Sequence, residues 1–269
     1  MTKIPKIAHF YWGEKTLPYL RYLTFATFAK QNPTWKMKLY IPYTRSTSRP
    51  WPSHEQKYTV SGMDYFHKVS ELPIEVTHFE VTGIGIPNDM SEIHKSDILR
   101  WYLLATDGGL WSDMDIIYFK PIPELPHDVG LCINPKYGHS IGFLYSTPNN
   151  PLLSSIFHMA KAGYSPDNYQ SAGSIVLNRH YPSVKFIENI FKTISVFNIP
   201  MDWVYSYDAV MINEIFAPNR RQERFTKNSI GVHWFAGAAI AGAAINNVTP
   251  GNYGKTQNVL CRAIGKALK

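Results

Sequence analysis

Apolar residues occur along this chain in short runs broken by Gly, Pro and polar positions, and the runs predict alternating strands and helices. Positions 4–12 (Ile-Pro-Lys-Ile-Ala-His-Phe-Tyr-Trp) read as a first buried strand ending at Gly13. Positions 17–31 form an aromatic-rich helix that Asn32-Pro33 stops. Positions 35–41, where Lys36 and Lys38 alternate with apolar residues, are a second strand, and 74–81 a third. Strand, helix and strand joined by short links predict a parallel pair with a right-handed crossover. The polar segment 42–58, with Arg45, Arg49, Pro50 and Pro52, reads as a loop or inserted flap. The stretch that organises the chain comes next. Ile98, Leu99, Trp101, Tyr102, Leu103 and Leu104 make a helix that is apolar round most of its circumference and is therefore buried. Gly108-Gly109 end it, and Leu110 and Trp111 open an extended run that continues through Ile116 to Phe119.

The second half predicts short strands at 129–133 and 141–145, and a helix at 150–162 with Asn149 or Asn150 as cap and Pro151 as first residue. A loop follows over 163–171, then helices at 183–194 and 209–216, the latter with Asp208 as N-cap. A late strand covers 230–235. The small, Gly-rich segment 236–244 is a mobile lid or a place of close backbone packing. Positions 256–268 form a basic amphipathic helix with Val259, Leu260, Ala263, Ile264 and Ala267 near its apolar side. The pattern predicts an α/β sheet flanked by helices. Repeats, low-complexity tracts and a dividing linker are missing, so 1–269 reads as one domain.

Composition adds three constraints. A chain of 269 residues buries a full core, and its 17 Tyr and 7 Trp serve core filling first and sugar stacking second. Two cysteines, Cys132 and Cys261, make no disulfide framework, which fits a reduced cytoplasmic setting; neither a signal peptide nor a membrane span is apparent. The net charge of +7 favours an anionic partner: a nucleotide sugar, a membrane surface or nucleic acid.

The candidate chemistry lies in the organising stretch. Asp97 and Arg100, three apart, share one side of its helix. Asp113 and Asp115, two apart in an extended run, share one face. Paired carboxylates repel unless a cation lies between them, and hard oxygen ligands suit Mg²⁺ or Mn²⁺ that share their shell with phosphate oxygens. The spacing therefore predicts a metal–diphosphate site. The first strand is not followed by a Gly-x-Gly-x-x-Gly, so dinucleotide binding has no support.

In order and spacing, Ser96-Asp-Ile-Leu-Arg100, Gly108-Gly109 and Asp113-Met-Asp115 resemble the sugar-binding region of the Asp-x-Asp glycosyltransferases, family 32 in particular and the glucosylating toxins more distantly. The resemblance implies a GT-A type, Rossmann-like mixed sheet, with a nucleotide-sugar half at 1–120 and an acceptor half at 121–269 made of helices, loops and a C-terminal lid or helix. It implies donor contacts for Trp12 against the base, for Asp97, Arg100, Trp111 and Asp113, and for Ser171 and Gly173. The last two fall where the family shows a Thr-Gly-Pro-like turn, although Pro is absent here. It implies metal ligation by Asp115 and Asp113, completed by the late His233, and a catalytic set of Asp113, Asp115 and Arg100. The competing roles are a core aromatic for Trp12 and a buried structural imidazole for His233; His9 reads as a satisfied core histidine.

The implied reaction is sugar transfer from a nucleoside diphosphate sugar, UDP favoured, to a saccharide hydroxyl, with retention and with Mn²⁺ or Mg²⁺ as cofactor. A phage-type enzyme glycosylating hydroxymethylated DNA is the alternative, with Arg45, Arg49, Arg220, Arg221, Arg224 and Lys227 as phosphate contacts. A nucleotide-sugar pyrophosphohydrolase and a non-catalytic sugar-binding module are further alternatives. Lys255, Arg262, Lys266 and Lys269 on the last helix provide for a peripheral membrane contact.

Overall fold

Strand β1 (Ile7–Tyr11) runs parallel to β2 (Lys36–Pro42), with Phe10 opposite Leu39, and β2 runs parallel to β3 (Ile74–Phe79). The computed structural model describes residues 3–46, 63–220 and 222–269. Helix α1 (Tyr19–Gln31) makes the predicted crossover between β1 and β2. Phe25 and Phe28 of α1 meet Phe10 edge-on at 5.2 and 5.5 Å, and burying each is worth about 1.5–3 kcal/mol. Asn32 ends the helix: its amide donates to the Phe28 carbonyl at 2.9 Å, and its Oδ1 accepts from the Ile122 amide at 2.7 Å.

Helix α2 (Glu92–Thr106) carries the organising stretch. Ser91 caps it, Oγ accepting from the His94 amide at 3.3 Å. Ile98, Leu99, Trp101, Leu103 and Leu104 are buried, as their pattern requires. Gly108 and Gly109 both adopt positive φ, +65° and +96°, and a Cβ on Gly109 would come within 2.5 Å of the Ile7 carbonyl oxygen. That close passage lets β4 (Gly109–Ser112) lie parallel to β1. β6 (Val129–Asn134) and β7 (Gly138–Ser146) follow, β7 antiparallel to both β4 and β6, so the main sheet is mixed, in the order β3-β2-β1-β4-β7-β6-β8 with β8 at Val196–Asn198. The architecture is the α/β one that the pattern predicts.

The extended run after Gly109 is not one strand. β4 ends at Ser112 and β5 (Ile116–Tyr118) leaves the main sheet to pair antiparallel with β9 (Gly231–His233), Ile116 opposite His233. Asp113 and Asp115 therefore lie in the turn between two sheets rather than on the face of one strand. Other local expectations also shift. Helix α3 (Pro151–Ala162) forms as predicted, Asn150 Oδ1 accepting from the Leu152 and Leu153 amides at 3.1 and 3.3 Å. Helix α4 (Ser174–His180) and β8 have no counterpart in the periodic pattern, and α5 (Val184–Ile190) stops short of 194. Asp208 does not cap α6 (Ile212–Phe216); its Oδ1 takes the Val210 and Met211 amides in the turn before it.

The Gly-rich 236–244 segment leads into a helix, α7 (Ala239–Asn247), with Ala241, Gly242 and Ile245 buried. The last helix, α8 (Val259–Leu268), buries Val259, Leu260, Cys261, Ala263, Ile264 and Ala267 in a cluster with Leu20, Leu23 and Trp234. Its apolar face is spent on the protein's own core, so this helix offers a membrane only its polar side. Among the described residues, no helix is long and apolar enough to cross a membrane.

Candidate active site

The site is built where β4 ends. The Asp113 amide donates to the Gly142 carbonyl at 2.8 Å, which pins the turn to β7. Asp113 Oδ1 accepts from Trp111 Nε1 at 2.8 Å and from Arg100 Nη2 at 3.0 Å. The same Nη2 lies 3.0 Å from Asp97 Oδ1. One buried guanidinium thus bridges the helix acid and the first turn acid, stacked 5.0 Å from the Trp111 ring. Arg100 Nε and Nη1 are buried with no hydrogen-bond partner among the described residues. Burial pushes the Asp97 carboxyl up to about 7; Arg100 opposes that shift and Asp113 adds to it. Asp97 Oδ2 also explains Gly173, where a Cβ would lie 2.6 Å from it.

Asp115 is held from the other side. Its Oδ2 accepts from the Ala236 amide at 2.9 Å, its carbonyl accepts from the Trp234 amide at 2.9 Å, and its Oδ1 lies 3.0 Å from His233 Nε2. Burial acts to raise this carboxyl, but His233, Arg21 and the Ala236 N–H prevail and hold it well below the usual carboxylate range. The chain turns sharply here: Phe235 has a φ of +52°, left-handed for a bulky residue, and its ring meets His233 edge-on at 4.3 Å. His233 Nδ1 has no partner among the described residues. Pairing of β9 with β5 places the His233 imidazole on Asp115.

Ligand atoms of Asp113, Asp115 and His233 all lie within 4.8 Å of one another. Two carboxylates and one imidazole, one of its nitrogens unpartnered, fit a divalent ion. The imidazole suits Mn²⁺ better than Mg²⁺, which prefers an all-oxygen shell.

The remaining expected residues fall into two groups. Trp111 belongs to the site through its indole N–H. Trp12 is buried at the end of β1, with the Arg21 guanidinium 5.4 Å from its ring. Ser171 is committed locally: its Oγ accepts from the Ser165 amide at 3.0 Å and donates to the Ser165 carbonyl at 2.9 Å. It braces the 163–173 loop, which also takes the Trp101 indole N–H at the Ala172 carbonyl, 2.8 Å away. His9 is the satisfied core histidine, between the Tyr40 hydroxyl at 3.0 Å and the Gly108 carbonyl at 2.8 Å.

Three residues escape sequence reasoning. Arg21 is buried between the indoles of Trp12 and Trp234, 5.3 Å from the latter, with Asp115 and Asp113 among the charges acting on it. Its signal is there to be read: it is the only charged residue between Leu17 and Ala29. Gly142, a glycine inside a strand, is the second; a Cβ there would meet Asp113 Oδ2 at 2.7 Å and the Tyr205 hydroxyl at 2.9 Å. Tyr205, the third, carries no signal of its own in the sequence.

The basic run is less free than it reads. Arg220 and Arg224 both pair with Glu214, at 2.6 and 2.7 Å, and Arg262 pairs with Glu223 at 2.7 Å. Arg49 and Arg221 lie outside the described residues, as does most of the 42–58 segment.

Residues 27–130 match the family described as the glycosyltransferase sugar-binding region containing the DXD motif. No curated protein matches the chain by sequence. Among solved structures, the PaToxG glycosyltransferase is 19% identical, with 71% of this chain and 76% of that one covered and a TM-score of 0.51. The ligand-free glycosyltransferase domain of the YGT toxin is 11% identical, with 61% of this chain and 63% of that chain covered and a TM-score of 0.45. The galactosyltransferase LgtC, in complex with donor and acceptor sugar analogs, is 12% identical, with 93% and 99% covered and a TM-score of 0.42. The matched region contains the motifs at 96–100, 108–109 and 113–115, so this part of the chain is similar to the DXD sugar-binding region, and the mixed sheet around it is a fold shared with PaToxG.

Proposed function

We propose that the protein moves a sugar from a nucleoside diphosphate sugar, UDP-linked, to a saccharide hydroxyl with retention of configuration, using Mn²⁺ or Mg²⁺. The observation that carries this reading is the convergence of Asp113, Asp115 and His233 beside the Asp97–Arg100 pair. In this reading, residues 1–120 hold the donor and 121–269 face the acceptor.

Asp115, Asp113 and His233 would hold the ion. When bound, it offsets the charge that grows on the diphosphate as the glycosyl bond breaks. Arg100 fixes Asp113 and Asp97 relative to each other, so a shift of the helix is felt by both acids. Asp97, with a carboxyl near neutrality, can accept from or donate to a sugar hydroxyl. Trp12 is the proposed wall for the base, and Trp111 orients Asp113 through its indole N–H. A retaining transfer on the front face needs no enzymic nucleophile, and the leaving phosphate serves as the base.

Mass-spectrometric screening of nucleoside diphosphate sugars, UDP-sugars first, for hydrolysis and transfer with Mn²⁺ or with EDTA tests this reading. Wild type is expected to consume a UDP-sugar only with the ion. Asp115→Asn, which keeps an acceptor for the Ala236 amide, is expected to lose activity by about 10²–10³ with little change in melting temperature. Full activity in EDTA, or in Asp115→Asn, rejects the metal-dependent reading.

A further inference from the structure

Tyr205 lies in the segment that leaves the short turn at Met201–Trp203, and its placement is rigid. Its amide donates to the Met201 carbonyl at 2.7 Å, and the neighbouring Val204 carbonyl accepts from the His233 amide at 2.7 Å. The ring lies 5.1 Å from the His233 ring and 6.4 Å from that of Phe235. The side chain thus belongs to the same packed unit as the proposed metal arm.

The hydroxyl is the anomaly. It is buried and has no hydrogen-bond partner among the described residues. Other buried tyrosines of this chain are paired: Tyr40 with His9 at 3.0 Å, Tyr118 with Ser112 at 2.7 Å, Tyr145 to the Pro126 carbonyl at 2.8 Å, and Tyr207 with the Arg224 amide at 3.0 Å. A phenylalanine at 205 would fill the same space without burying an unpaired polar atom, so packing gives no reason for the oxygen. Its position does. Gly142 is where the Tyr205 hydroxyl and Asp113 Oδ2 both arrive, 2.9 and 2.7 Å from the place a Cβ would occupy. The hydroxyl therefore stands beside the carboxylate oxygen that Arg100 and Trp111 leave open, on the side where the ion and diphosphate are proposed to bind.

We infer that the Tyr205 hydroxyl is a further substrate-binding group of the active site, donating a hydrogen bond to an oxygen of the donor's diphosphate. This rests on the donor reading above. A phenol is well matched to that role. A phenol carries its proton at neutral pH and can donate it to an anionic oxygen. A neutral donor adds no charge to a site already holding Arg100 and the proposed ion, and its geometry is set before the ligand arrives. Gly142 has a matching role, since any side chain there would fill the space both oxygens share.

The experiment measures UDP affinity in saturating Mn²⁺, affinity for Mn²⁺ alone, and melting temperature, for wild type, Tyr205→Phe and Tyr145→Phe. Tyr205→Phe is expected to melt at or above wild type, to bind Mn²⁺ as wild type does, and to bind UDP about ten- to a hundredfold more weakly. Tyr145→Phe, which loses a satisfied bond, is expected to do the reverse: a lower melting temperature and unchanged UDP affinity. Unchanged UDP affinity in Tyr205→Phe overturns the inference, and so does a melting temperature that falls as in Tyr145→Phe, because the hydroxyl then serves the fold. A matching loss of affinity for Mn²⁺ alone also overturns it, since the contact then belongs to the ion's own shell. A wild type that binds neither Mn²⁺ nor UDP is a different failure, one that removes the donor reading itself.

Discussion

The two ends of strand β4 each bury a polar cluster, and the clusters are built on opposite principles. At the start, His9 is paired at both ring nitrogens: Nε2 donates to the Gly108 carbonyl, and Nδ1 accepts from the Tyr40 hydroxyl. At the far end, His233 Nδ1, Tyr205 Oη and Arg100 Nε and Nη1 are buried and unpartnered among the described residues. An unpaired buried polar atom costs on the order of 1–3 kcal/mol, and a fold that can satisfy His9 completely does not leave four such atoms together by accident of packing. The first cluster answers to stability alone. The second bears a stability penalty where a ligand is proposed to bind, as expected of a functional site.

The sharpest way to break this contrast is steric. Gly142→Ala drives a Cβ against Asp113 Oδ2 and Tyr205 Oη, and is expected to lower Mn²⁺ affinity and transfer by about 10²-fold, since displacements near an ångström have that effect. Gly254→Ala, with nothing within 4 Å of its added Cβ, is the control and is expected to leave both unchanged. Equal behaviour of the two variants would show that the crowding at Gly142 is not part of the site.

A smaller effect tests the satisfied end. Burial lowers His9 to about 4 from 6.5, with the Gly108 carbonyl and Asp107 opposing and Lys38 assisting. The folded state thus binds fewer protons than the unfolded chain. The stability from a neutral His9 is complete above pH 6.5 and is lost as pH falls from there toward 4, by about 3 kcal/mol in all. Urea unfolding at pH 7 and pH 4.5 checks this: the loss is expected in wild type and blunted in His9→Gln. An equal loss in both proteins would assign the acid sensitivity to another group.

The smallest expected effect concerns the acceptor. Arg220 and Arg224 already share Glu214, so the basic run presents less free charge than its composition promises. Duplex DNA is expected to bind weakly at low salt and not measurably at moderate salt, by fluorescence anisotropy. Tight binding that collapses in Arg220→Ala/Arg224→Ala would favour a modified-DNA acceptor over a saccharide.

The first half of the site is legible in the chain because its determinants are local. The spacing of Asp97 and Arg100 on an apolar helix, the positive-φ glycines and the two-residue step from Asp113 to Asp115 all act within one short segment. Even there, periodicity misplaces the acids on a single strand. A two-residue spacing cannot tell a strand from a turn between sheets, and the departure of β5 toward β9 decides which it is. The short elements α4 and β8 escape the pattern for a related reason: at seven and three residues they carry too little periodic signal and are stabilised by what they pack against.

The helix, the glycine turn and the paired acids are thus written into contiguous residues, where propensity and spacing act directly. His233 on Asp115, Tyr205 and Gly142 around Asp113, and Arg21 between two indoles depend on contacts between distant segments. The Ala236 amide that holds Asp115 is 121 residues away along the chain. Contacts of that span leave no periodicity to read. They form only when β5 finds β9 and β7 closes on β4, because burial is decided by the assembled layers and not by any one of them.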